Sequence, residues 1–209
     1  MLARGINILS MANIQIFLAK FRTLFLGTCL VLLALVVAAP IAAAAPKSDL
    51  WPRWEAHDPA SVAVVDHAAW SRLLALYARP HPDGVTRFDY ASLQQADRAA
   101  LDGYLASLSA TPVSTLSRDE QFAYWLNFYN ALTVQVIVDH YPVDSIRDIN
   151  ISPGLFSFGP WVRKLVLVEG EALSLNDMEH RILRPIWRDP RIHYGVNCAS
   201  IGCPNLLTT

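Results

Sequence analysis

The sequence predicts an α+β domain in which a long buried central helix is surrounded by other helices and a small β-sheet. Three observations predict it. Residues 117–140 form a helical pattern that is apolar on every side, further helical patterns flank it, and short β-branched stretches fall between them.

In chain order, the first feature is a leader. Before Ala45 the only charges are Arg4, Lys20 and Arg22, all positive. Leu24 to Ala39 is uncharged, and Ala42-Ala43-Ala44 offers an A-x-A cleavage site. Basic, then apolar, then small residues are the order of a secretory signal peptide over residues 1–44, with an uncleaved anchor as the competing reading. Met11 offers a shorter start. Cys29 lies inside the apolar run instead of after it, so no lipoprotein site is expected there. The expectation is a periplasmic or secreted protein, touching a membrane only through this segment if it stays uncleaved.

Residues 45–209 carry 14 basic and 18 acidic side chains, a net charge of −4 with no basic stripe. Nothing in that balance drives binding to a phosphate backbone, so nucleic acid is not an expected partner. The length suits a single domain with a real core.

Trp70, Leu73, Leu74 and Tyr77 fall at helical spacing within Asp66 to Ala78. Pro80, Pro82, Asp83 and Gly84 then turn the chain toward a short strand over Val85 to Tyr90. Asp97 to Leu108 reads as a second helix. Ser117-x-x-Glu120 is a capping-box pattern opening the central helix, which Pro142 stops after about His140. Asn127, Asn130 and Gln135 argue against a lipid environment for it. Trp161 to Val168 has strand density, Glu169-Gly170 turns, and Ser174-x-x-Asp177 caps another helix ending near Pro185. Arg191 to Asn197 reads as extended.

Chemistry concentrates after the central helix. At about 100° per residue, Glu179 falls within the apolar stripe set by Leu175, Met178 and Ile182, His180 on its flank, and Arg184 pointing away. A carboxylate facing a core needs a partner or a proton, which makes Glu179 either a structural ion pair or an acid/base group orienting His180. Asn127 and Asn130 lie one turn apart, as structural clamps or as substrate or oxyanion contacts.

As a strand, Arg191 to Asn197 would put His193, Gly195 and Asn197 on one face and present Cys198 at its end. Three readings of Cys198 and Cys203 stay open. In an oxidising compartment they are a disulfide candidate. Cys198 is also a candidate nucleophile, with His180 as base, Glu179 as orienter and His193 nearby. Finally, His193, Cys198 and Cys203 with Glu179 or His180 would make a loosely spaced metal set. No cofactor follows from any of these patterns.

Three blocks together resemble the family called domain of unknown function 547. Phe122-Ala123-Tyr124-Trp125-Leu126-Asn127-Phe128-Tyr129-Asn130-Ala131-Leu132-Thr133 is similar to its FWxNxYNALT block. Leu173-Ser174-Leu175-Asn176-Asp177-Met178-Glu179-His180, with Ile182-Leu183-Arg184, resembles its LSLxxIEHxILR block. Asp189-Pro190-Arg191-Ile192-His193, with Asn197-Cys198-Ala199-Ser200 and Cys203-Pro204, resembles its DPRIHFALNCASxSCP block. The resemblance covers residues 117–206 and implies that Asn127, Asn130, Glu179, His180, His193, Asn197, Cys198 and Cys203 belong to one site. It supplies no reaction. Family members continue with a further helical segment past the cysteine block, so a chain stopping at Thr209 is expected to be C-terminally incomplete.

The expectation is an exported protein of that uncharacterised family which, if it is an enzyme, has a candidate cysteine-dependent hydrolase or acyl-transfer site. The alternatives are a non-catalytic envelope module bridged at Cys198–Cys203, and a metal site.

Overall fold

A computed structural model describes residues 47–154, 158–200 and 202–206. The leader expected over residues 1–44 lies outside the described residues. The architecture is α+β. Helices α1 (Ala68–Tyr77), α2 (Gln95–Ala110) and α3 (Arg118–His140) follow one another, with a hairpin of β1 (Ala78–Pro80) and β2 (Thr86–Phe88) between the first two. A second hairpin joins β3 (Val166–Val168) and β4 (Glu171–Leu173) and leads into a π-helix (Asp177–Leu183). Short helices α4 (Arg184–Trp187) and α5 (Ile192–Gly195) complete the order.

Among the described residues the small β structure takes the form of two separate antiparallel hairpins with three-residue strands. Glu169 and Gly170 do form the second hairpin's turn, both at positive φ (46° and 83°), as a two-residue loop of the primed type demands. The strand expected from Trp161 shrinks at its start. Residues 159–163 are spent on bends and turns, in which Gly159 sits at φ 72° under the Trp161 ring; a Cβ there would run into that ring.

Helix α3 is the centre of the core, as its pattern predicts. Tyr124, Trp125, Phe128 and Tyr129 are all buried. Trp54 meets Trp125 edge-on at 5.2 Å, and the Tyr124 hydroxyl donates to the Leu108 carbonyl of α2 at 2.9 Å. Among the described residues no helix is long and apolar enough to cross a membrane. Truncating Trp125 to Ala in such a setting costs about 3–5 kcal/mol.

The two capping patterns behave differently. At α3, Ser117 Oγ accepts from Glu120 N at 3.3 Å, but the Glu120 carboxylate accepts from Val65 N at 2.7 Å instead of returning to Ser117. At the π-helix the box is reciprocal: Ser174 Oγ accepts from Asp177 N (3.1 Å) and Asp177 Oδ2 accepts from Ser174 N (2.9 Å). Lys164 and Arg181 also donate to the buried Asp177, so this end of the helix is held from several sides.

One expected element is present with a different winding and one is overturned. The helix expected to end near Pro185 is there and closes at Trp187, but it is wound as a π-helix from Asp177 to Leu183 and continued by α4. Pro185 has no N–H for the Arg181 carbonyl, and Arg184 N donates to Glu179 O, one residue further back than in an α-helix. The freed carbonyls of His180 and Arg181 accept from Asp49 N and Trp51 N, each at 3.0 Å. The strand expected over Arg191 to Asn197 is helical instead. Asp189 Oδ1 accepts from Arg191 N at 2.8 Å and Pro190 pre-sets the first turn, a helix-starting signature that outweighs the alternation.

Candidate functional site

Both asparagines expected at the site reside on α3, but only Asn130 is shown holding neighbouring chain. Nine per cent exposed, it donates from Nδ2 to Gly195 O and accepts at Oδ1 from Asn197 N, each at 2.8 Å. It therefore fixes the exit from α5. Asn197 extends the clamp: its Oδ1 accepts from Ala199 N (2.7 Å) and its Nδ2 donates to Pro204 O (2.6 Å). These bonds tie off the loop that carries the cysteines, with Ala199 in the left-handed region at φ 61°. Asn130 and Asn197 thus both hold backbone. Asn127 is half-buried and does not line the pocket described below.

Cys198 and Cys203 are free, half-buried thiols. Cys198 N donates to Cys203 Sγ at 3.2 Å, and Cys203 N donates to Ser200 O at 2.9 Å. The Cys198 thiol also donates to the Cys203 sulfur. That bond is the chief cause lowering the Cys203 pKa to about 6 and pushing that of Cys198 well up.

The other half of the site comes from the π-helix. Arg184, expected to point away, reaches Glu179 Oε1 through Nε (3.0 Å) and Nη2 (2.5 Å). The wide turn accounts for this, since it brings residues five apart onto one face. Glu179 Oε2 lies 3.7 Å from His180 Nε2, close enough for charge to be felt but too long for a hydrogen bond. His180 is buried and its Nδ1 has no partner among the described residues. Burial lowers its pKa, Glu179 opposes the shift and Arg184 adds to it, so the imidazole is neutral at neutral pH.

These groups meet at a cavity of about 310 Å³. Its polar lining is Asn176, Glu179, His180 and Cys198; its apolar lining is Tyr129, Phe158, Trp161 and Val162. Of the predicted set, then, Glu179, His180 and Cys198 come together there, with Cys203 bonded behind Cys198. Tyr129, Asn176 and Trp161 were missed. Tyr129 reads in sequence as one more core aromatic; it and Asn176 lie within two of the three family-like blocks, while nothing in the pattern around Trp161 points to the site.

His193 does not join them. It lies exposed on α5, its ring edge-on to Tyr194 at 5.6 Å, because the segment is helical and not extended. Among the described residues no group of three or more His, Cys, Asp and Glu side chains is arranged to hold a metal. The set proposed from His193, Cys198 and Cys203 with Glu179 or His180 is therefore not assembled, since His193 faces solvent and Glu179 is engaged by Arg184.

Residues 113–208 match the model of the family described as "Protein of unknown function, DUF547". That stretch of the chain, which carries α3, the π-helix and the cysteine loop, belongs to this family. No curated protein and no solved structure matches the chain.

Proposed function

We propose that the protein is an exported cysteine-dependent enzyme that transfers or hydrolyses acyl groups, with Cys198 as nucleophile. The observation that carries this reading is the convergence of Cys198, a buried neutral His180 and Glu179 on one cavity. Export rests on the basic, apolar and small-residue order of residues 1–44. The net charge of −4 beyond the leader favours no nucleic-acid partner.

The geometry changes the division of labour expected from sequence. Cys203, whose sulfur accepts from Cys198 N and whose pKa is lowered, serves as the immediate base of the Cys198 thiol. As the Cys198 sulfur attacks the acyl carbon, its proton passes to Cys203. The bond to the leaving group breaks, and that proton goes to the leaving group. For hydrolysis, neutral His180 takes a proton from water, the hydroxide adds to the thioester, and the carbon–sulfur bond breaks. The imidazolium then returns its proton to Cys198, while Glu179 stabilises the transient positive charge. Asn176 is the amide at hand to donate to the developing oxyanion.

The test is a scan of p-nitrophenyl esters and thioesters with the purified chain, read by product release and by mass spectrometry of an acyl adduct. Cys198→Ser and His180→Asn abolish release, and the adduct maps to the Cys198 peptide. Release unaffected by Cys198→Ser rules the reading out.

One observation favours a second reading. The Cys198–Cys203 contact also suits a structural bridge in a non-catalytic envelope module. Thiol titration of the exported protein without reductant separates the two, since a bridged pair yields no free thiol.

A further inference from the structure

We infer that the cavity beside Cys198 accepts an uncharged acyl group with an apolar chain, selected by the wall of Trp161, Val162 and Phe158. The inference rests on the acyl-transfer reading and names the substrate class for it.

Charge argues first. Among the described residues no lysine or arginine lines the cavity, while Glu179 does, so an anionic substrate would find repulsion and no partner there. A cationic one gains little, because the Glu179 carboxylate already receives two hydrogen bonds from Arg184. What remains is a neutral ligand.

The wall itself argues next. Phe158 and Val162 are 69 % and 40 % exposed, large apolar side chains left open to solvent at the edge of one cavity. Such clustered exposure marks a binding surface more often than chance. The wall is also anchored. Trp161 lies over Gly159, which has no Cβ to displace it; Asn176 N donates to Trp161 O at 2.9 Å; and Val162 N donates to Ser152 Oγ at 3.3 Å. A volume of about 310 Å³ is at the small end of ligand sites, which run to about 1,000 Å³, so a short or medium chain fits it better than a bulky polymer.

The experiment compares p-nitrophenyl acetate, octanoate and succinate on the full chain, with iodoacetamide protection by octanamide as a readout free of turnover. The octanoate is expected to exceed the acetate in kcat/KM by about tenfold or more, and the succinate to fall below both. Val162→Asp lowers the octanoate-to-acetate ratio by about tenfold. Octanamide slows alkylation of Cys198 in the native chain and not in Val162→Asp. A flat chain-length profile, or a preference for succinate, overturns the substrate class and leaves the acyl-transfer reading intact. If no ester turns over, that reading fails and protection alone decides: octanamide protection upholds the ligand class, and its absence ends it.

Discussion

Glu179 and Arg184 are joined by two hydrogen bonds across a spacing of five residues, which an α-helix would set about 140° apart. The π-turn brings them together. The Glu179 side chain is 13 % exposed and that of Arg184 32 %. Arg184→Ala leaves a mostly buried carboxylate without its donors, for an expected loss of about 1–3 kcal/mol. The figure lies below that of a fully buried pair because the guanidinium is partly in water. Urea unfolding measures it. Arg184→Lys restores only part, because an ammonium cannot reproduce the two-pronged approach. Full recovery with lysine would show that charge, not geometry, holds Glu179.

How much of this was legible in sequence depends on which signal each residue gives. The span of α3 was readable because its cap, its all-round apolarity and Pro142 agree. The inward turn of Glu179 was readable too, since the apolar stripe carries it. Its partner was not: a 3.6-residue period places Arg184 opposite, and nothing local announces a π-turn. That turn arises from Pro185 together with Asp49 and Trp51, which take the freed carbonyls from far along the chain. The misplacement of His193 has a nearer cause. Alternation over Arg191 to Asn197 points to a strand, but Asp189-Pro190 just before it starts a helix.

His180 makes stability depend on pH. Burial lowers its folded pKa below the ordinary 6.5. As pH falls through about 6.5, the unfolded imidazole takes up a proton that the folded one resists, so the stabilisation present at neutral pH declines. His67, bonded through Nδ1 to the Tyr104 hydroxyl at 2.6 Å, shifts in the same direction from burial. The unfolding free energy is therefore expected to drop from neutral pH toward the folded pKa values, and His180→Gln to flatten that slope. A slope unchanged by the substitution would assign the effect elsewhere.

The thiol pair titrates as a unit. Cys203, lowered to about 6 by the Cys198 hydrogen bond, is alkylated first, with the iodoacetamide rate half-maximal near that pH. Cys198 lags because its proton is held against Cys203. Cys198→Ala removes the thiol donor and moves the Cys203 midpoint upward toward the ordinary 9.0. Peptide mass mapping after brief labelling assigns the order. Labelling of Cys198 ahead of Cys203 would place the anion on the cavity side and make His180 its base.

Asn130 and Asn127, one helical turn apart on α3, are expected to differ sharply in worth. Asn130→Ala strands the Gly195 carbonyl and the Asn197 N–H, both served by one amide, at an expected cost of about 2–3 kcal/mol. Asn127→Ala strands neither, and its cost should stay under about 1 kcal/mol. Asn130→Asp separates the two bonds, keeping an acceptor for Asn197 N and losing the donor to Gly195 O, so it should fall between. The same amide sets the base of the cysteine loop. Loosening it weakens the Cys198 N–H bond to Cys203, and the alkylation midpoint of Asn130→Ala should rise along with the loss of stability. Urea unfolding and the iodoacetamide pH profile, run on the same three variants, measure both effects. A stability loss with an unmoved midpoint would mean that the thiol pair is organised by Asn197 and Ser200 alone, with α3 serving only as the floor on which that loop rests.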